Sequence, residues 1–253
     1  ENNVHSRSGG QTALGVQTEN SRQWFYIYTA QQRLESYYRL PVLAYERPVH
    51  SVGIVINGVK GGVTYMREPI SGPNFAFTGY VYGGREMSMG TFIHETAGHA
   101  FGLLGDEYST SGFDPGQPFE IPDYEATRLR NEQKKGWYLN LSLTSDPKSV
   151  YWAHLIGHPR YPYVGVLQGG YYYAFGVWRS ESYSLMENST NFYFNTICRE
   201  LIVRRIMALT SEEYTFDKFL AKDSDKDRPN LSKSRSQQIK DQERRHQPPI
   251  IGE

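Results

Sequence analysis

The sequence predicts an α+β fold. A mixed twisted sheet and one motif-bearing helix form an N-terminal subdomain (about 1–108), and an irregular C-terminal subdomain (about 109–220) closes with a helix. Three observations predict it. The mostly apolar run His50-Ser-Val-Gly-Ile-Val-Ile-Asn57 reads as a buried central strand. Segments 63–67 and 74–82, rich in Val, Thr, Tyr and Phe, read as an edge hairpin ahead of a helix over 88–103. A helical period through Phe194, Ile197, Cys198, Leu201, Ile202, Arg205, Ile206 and Leu209 predicts the closing helix over 193–209.

The remaining elements follow in order. Residues 1–20 are polar and Gly-rich and predict irregular chain. Residues 20–38 carry apolar positions at three- and four-residue steps, which predicts a helix with Asn20 or Ser21 near its N-cap. Asn57 to Gly62 is a turn cluster, and 109–125 is loop-like. A short solvated helix is expected over 123–134. From 136 to 178 aromatic and turn residues alternate, and Tyr161 to Tyr173 suggests a hairpin broken by glycine, or a ligand-facing loop. A further short helix is expected at 211–219. The polar, charged tail at 221–253 has few apolar residues to bury. No repeat and no linker divides the chain, so 1–220 reads as one catalytic-sized domain in two subdomains.

Composition narrows the function. The 253 residues carry 27 Lys+Arg against 27 Asp+Glu, so no charge excess points to nucleic acid or an anionic membrane. No apolar run reaches the length of about 18 residues that a membrane-spanning helix needs. The 20 tyrosines suggest an aromatic-rich interior. Cys198 is the single cysteine, which excludes an intrachain disulfide; its apolar surroundings predict a buried small side chain. The chain opens at Glu1 without a visible signal peptide, so any targeting segment is expected upstream.

The chemistry concentrates in His94-Glu-Thr-Ala-Gly-His99, followed by Ala-Phe-Gly-Leu-Leu-Gly-Asp106-Glu107-Tyr108. Two imidazoles, an intervening glutamate and a carboxylate pair are the components of a hydrolytic zinc site. The common pattern is H-E-x-x-H, and here the second histidine comes one residue late. On a regular α-helix, residues four apart lie about 40° apart around the axis and residues five apart about 140°. Three readings follow. The helix bulges by one π-type turn near Ala97 and Gly98, or one histidine alone is a ligand, or the run is an ordinary amphipathic helix. In the metal reading, His94 and His99 are ligands of one catalytic Zn²⁺ and Glu95 is the general base for its water. Asp106 is the first choice for the third ligand and Glu107 the alternative. Tyr108 and Tyr183 are candidates to support an oxyanion, against plain core packing. Arg179 either binds a substrate carboxylate or steadies the turn that carries Met186.

Four blocks carry a resemblance: Gln11 to Gly15, Val52 to Asn57 with Gly61-Gly62, His94 to Tyr108, and Val164 to Arg205 with Trp178-Arg-Ser-Glu181 and Leu185-Met186. On these the chain resembles the IgA-peptidase family of zinc metallo-endopeptidases, bacterial secreted enzymes related to the metzincins. The resemblance implies a metzincin-like peptidase fold and a zinc-dependent endopeptidase hydrolysing peptide bonds in extracellular proteins. It implies His94, His99 and Asp106 as ligands, Glu95 as base and Met186 as the methionine turn beneath the metal. It also implies secretion or the bacterial cell envelope, and a further N-terminal region in relatives. The family generally has a four-residue His–His step; the five-residue step here is similar to the H-E-x-x-G-H of dipeptidyl peptidase III, an unrelated zinc peptidase. The alternative is a non-catalytic peptide- or glycan-binding protein that retains the fold, which suits a Tyr- and Trp-rich chain.

Overall fold

A computed structural model describes residues 48–57, 62–66, 74–80, 85–111, 116 and 118–224, together with two short strands near the N-terminus. The described chain mixes α and β structure. It divides into two compact units, the first ending at Phe101 and the second starting at Gly102.

In the first unit, β1 (Gln17–Thr18) pairs antiparallel with β2 (Phe25–Tyr26). The helix expected over 20–38 is therefore not what forms at 25–26. The aromatic run around Phe25 favours extended chain, and strand propensity outweighs the mixed spacing; the rest of that segment lies outside the described residues. Strands β3 (Ser51–Asn57), β4 (Gly62–Tyr65) and β5 (Asn74–Tyr80) form a sheet of order β3-β5-β4. β3 runs parallel to β5, and β4 pairs antiparallel with β5 as the expected hairpin. The central strand is thus β5 and not β3. Ile54 is buried while Val55 is 60% exposed, so β3 is not the fully buried strand that its apolar run predicts. The segment after β5 forms α1 (Arg85–Ile93), and the chain continues without a break into a π-helix (His94–Phe101).

The second unit carries α2 (Asp123–Lys134), the antiparallel strands β6 (Leu141–Ser142), β7 (Leu167–Gly170) and β8 (Tyr173–Arg179), a 3₁₀ turn (Ala153–Leu155), α3 (Thr196–Leu209) and α4 (Phe216–Lys222). The sheet order is β6-β8-β7, and the hairpin runs over 167–179, later than expected: the glycine-broken segment 161–173 supplies β7 and the turn, and β8 extends beyond it. α3 starts where Asn195 caps it, its side chain accepting a hydrogen bond from Cys198 N at 3.0 Å. α4 starts later than the expected 211, because the cap is Thr215, which accepts from Lys218 N. The main core gathers Leu104, Trp152, Leu155, Met186, Ile197 and Phe219 among others, with a smaller cluster of Leu129, Leu141, Tyr171, Tyr173 and Val177. Beyond residue 224 the tail lies outside the described residues.

Two buried carboxylates tie α3 to its neighbours. Asp223 accepts from Arg199 Nε at 2.7 Å and Nη2 at 2.8 Å, and from Tyr161 Oη at 2.8 Å. Glu200 accepts from His154, Arg204 and Tyr214. Burial works to raise both carboxyls, but these bonds outweigh it and hold both below their ordinary values. A carboxyl lowered by folding contributes stability that is complete at neutral pH and is lost as pH falls through its folded value, in the acid range below about 4. Asp223→Asn is expected to lower unfolding free energy at pH 7 by about 1.5–3 kcal/mol. Urea titrations at pH 7 and pH 3 should show that deficit shrinking in acid; an equal deficit at both would rule out the charge at 223 as its source.

Candidate metal centre

The late histidine is accommodated by the backbone. From His94 to Phe101 the helix is π-helical, with i→i+5 hydrogen bonding that adds one residue to each turn. His94 and His99 therefore share a face. Their Nε2 atoms lie 3.0 Å apart, and the rings meet edge to face with centroids 4.7 Å apart. The expected bulge is present, but it spans eight residues rather than one local turn. Such runs are rare because the turn is wider than its side chains pack well, and here neighbours hold it. Gly53 of β3 lets it approach: a Cβ there would stand 2.8 Å from Thr96 Cγ2 and 3.2 Å from Phe92. Asn74, buried at the start of β5, donates from Nδ2 to the Ala100 carbonyl at 2.8 Å, satisfying an acceptor near the helix end.

Glu95 is buried on the same helix. The Thr64 hydroxyl on β4 sits 2.6 Å from Glu95 Oε2 and 2.9 Å from the Glu95 carbonyl oxygen, and donates to one at a time. Gly62 on the same strand makes room for the carboxylate, since a Cβ would fall 2.6 Å from Glu95 Cγ and 2.7 Å from Oε1.

The chain then leaves the helix through Gly102. The left-handed residue is Leu103, with φ +58°, and not Gly102 as a glycine stop would suggest. The Leu103 carbonyl accepts from Tyr138 N at 2.8 Å, which fixes the exit. Asn140 grips Gly105 from both sides, Oδ1 accepting from its N–H at 2.8 Å and Nδ2 donating to its carbonyl at 2.9 Å. Gly105 has no space for a side chain, because a Cβ would lie 2.6 Å from Leu141 Cδ1. Asp106 follows at once. One ligand atom from each of His94, His99 and Asp106 lies within 4.8 Å of the others, and all three residues are buried. This group could hold a metal ion. Two nitrogens about 2.0–2.1 Å from a tetrahedral ion stand about 3.3 Å apart, close to the separation of the two imidazoles, so the donor set and its convergence fit zinc.

Asp106 and Glu107 part company. Asp106 Oδ2 accepts from the Tyr172 hydroxyl at 2.5 Å. Burial, and then the Asp106 charge, push the Tyr172 phenol well above its ordinary value, so it stays a donor. Glu107 instead enters a buried polar cluster. It accepts from Asn195 Nδ2 on both oxygens at 2.9 and 2.8 Å, from Asn140 Nδ2 at 3.0 Å and from Cys198 Sγ at 3.5 Å. Burial raises its carboxyl despite these bonds. Asp106, and not Glu107, is the carboxylate of the group that could hold a metal ion. Cys198 is buried as expected, but it serves as a donor to Glu107 as well as filling space.

The other candidates divide. Met186 is fully buried in a turn, packed in the cluster that includes Leu104, and its carbonyl accepts from Glu107 N at 2.8 Å. Tyr108 lies edge to face on Tyr172, centroids 5.2 Å apart. Tyr183 packs at 6.1 Å on Tyr193. Arg179 turns its Nη1 to the carbonyls of Gln168 and Gly169, holding the β7–β8 hairpin rather than the Met186 turn. Thr64, Asn140 and Tyr172 were not singled out in the sequence, and Asn195 only as part of the Phe194-Asn195 block of the resemblance; Tyr172 had a signal in the Gly169-Gly-Tyr-Tyr-Tyr173 run.

Compared with protein-family models and with curated proteins, the chain matches none.

Two neighbouring substitutions separate the roles of the acidic pair. Glu107→Gln would set an amide N–H₂ against the Asn140 or Asn195 donors and is expected to cost about 1–3 kcal/mol of stability while leaving metal stoichiometry intact. Asp106→Asn is expected to lower zinc affinity with a smaller change in melting temperature. Equilibrium dialysis and thermal melts on both would expose a reversed assignment as the opposite pattern.

Proposed function

We propose that the protein is a zinc-dependent endopeptidase that hydrolyses peptide bonds in extracellular proteins, on the metzincin-like plan of the IgA-peptidase family. The observation that carries this reading is the π-helical stretch that turns His94 and His99 toward one another, Nε2 to Nε2 at 3.0 Å, in a buried group with Asp106. Two imidazoles and one carboxylate are the three-ligand set of a catalytic zinc site, which leaves a coordination position for water or substrate, whereas structural sites are closed by four protein ligands. Secretion or a place in the bacterial cell envelope, and a monomeric state, belong to the same reading.

His94, His99 and Asp106 would hold the ion. Bound there, zinc supplies Lewis acidity toward a peptide carbonyl and toward a water. Glu95 takes the proton of the attacking water and returns it to the leaving nitrogen. It is suited to this because it sits next in sequence to a ligand, is shielded from solvent, and is held by Thr64 through one carboxylate oxygen. Gly62 keeps the space that the carboxylate occupies. Burial matters to the step, since a shielded carboxylate exchanges its proton with the substrate rather than with bulk solvent.

Purified protein is expected to carry about one zinc per chain. Glu95→Ala should retain that zinc and lose cleavage of an unfolded protein substrate by about 10²–10⁴-fold. Zinc retained without Glu95-dependent cleavage would favour the peptide- or glycan-binding alternative, and absence of stoichiometric zinc would remove the enzyme reading altogether. Gly62→Ala should also keep its zinc, but a displacement of Glu95 by about 1 Å is expected to lower kcat by about 10²-fold.

A further inference from the structure

The backbone around Tyr172 is constrained more than a hairpin turn requires. Tyr171 and Tyr172 both sit in the left-handed region, at φ +52° and +72°. Bulky side chains rarely adopt this conformation, and it persists only where surrounding contacts over-determine it. Those contacts are present. Tyr172 N donates to the Tyr108 carbonyl at 3.0 Å, and the Tyr172 carbonyl accepts from Thr110 N and Ser111 N, each at 3.1 Å. Tyr171 N donates to the Asp106 carbonyl at 2.9 Å. The loop that follows Asp106 is thus sewn to these two tyrosines by four backbone bonds, while the Tyr108 ring packs edge to face on the Tyr172 ring. Both the phenol and the carboxylate it meets are fixed in place before they touch.

From this we infer that Tyr172 is the positioning residue of Asp106. Its hydroxyl engages Oδ2 at 2.5 Å, so that a metal held by Asp106 would be met through the other oxygen. The inference rests on the zinc reading of His94, His99 and Asp106. Its chemistry is general: a carboxylate with one oxygen committed to a strong donor binds a metal through the other, whereas an uncommitted carboxylate closes on the ion with both. The hydroxyl therefore sets both the orientation of the ligand and its denticity, and keeps the coordination number low. Partners of this kind change metal affinity without touching the ion, by about 10–100-fold.

The test uses the full chain with zinc and with cobalt(II), whose visible absorption is intense at four-coordinate sites and weak at higher coordination. Tyr172→Phe removes only the hydroxyl. Tyr171→Phe is the control, since its hydroxyl accepts from Arg128 at 2.8 Å and its backbone bond to Asp106 survives the change. Tyr172→Phe is expected to weaken zinc binding by about 10–100-fold and, at saturating cobalt(II), to lower the visible absorption; Tyr171→Phe is expected to do neither. A merely structural role would shift the melting temperature of the metal-free protein but leave the saturated cobalt spectrum alone. If unsubstituted protein binds zinc and Tyr172→Phe matches it in affinity and spectrum, the positioning role is overturned and the zinc reading stands. If the unsubstituted protein binds neither metal, both fall together.

Discussion

The i→i+5 backbone hydrogen bonding from His94 to Phe101 is the constraint on which the centre depends. A helix side chain has no freedom to choose its azimuth; the backbone chooses it. With about 100° per residue, an α-helix would aim the two imidazoles in divergent directions. The wider turn brings them together, at a cost in backbone packing that a solvent-exposed helix would not sustain. That cost is offset by tertiary contacts from all three strands of the adjoining sheet. The bare backbone of Gly53 accepts Thr96 and Phe92, Thr64 reaches the Glu95 carbonyl and carboxylate, and Asn74 takes the carbonyl of Ala100.

The exit from the helix depends on buried amide side chains. Asn140 makes the two bonds to Gly105 that an adjoining strand would otherwise make, and with Asn195 it also draws Glu107 into the interior. Glu107 is held by Asn140 and Asn195, while its neighbour Asp106 meets the Tyr172 hydroxyl, so separate partners divide the acidic pair. The buried Glu107 cluster owes its specificity to the number of donors around one carboxylate, since each buried polar group left without a partner would carry a desolvation penalty.

Much of this was legible in the sequence, and what was not has a physical reason. His94, Glu95 and His99 stand out because they lie together on one short run, and the extra residue between them made a wider turn one of three readings, which the π-helical backbone then selects. α3 was legible from its period, and the β4–β5 hairpin from its β-branched and aromatic residues. The order of the strands was not, because Val55 is apolar and exposed, and nothing local distinguishes it from a core valine. The start of α4 escaped because a threonine cap is a single residue among several that look alike. Asp106 and Glu107 could not be separated by type; only Asn140, Asn195 and Tyr172, distant in sequence, decide between them.

The eight-residue π stretch also bears on how this chain could have diverged. Deleting one residue between Glu95 and His99 would restore the ordinary histidine spacing and let a regular α-helix form. Everything after the deletion would then turn by about 100° about the helix axis, and the carbonyl that Asn74 now holds would swing away from it. Shortening the stretch by one residue therefore cannot be a local change: it would also undo the contacts that Gly53, Gly62, Asn74 and Thr64 make with the wider turn.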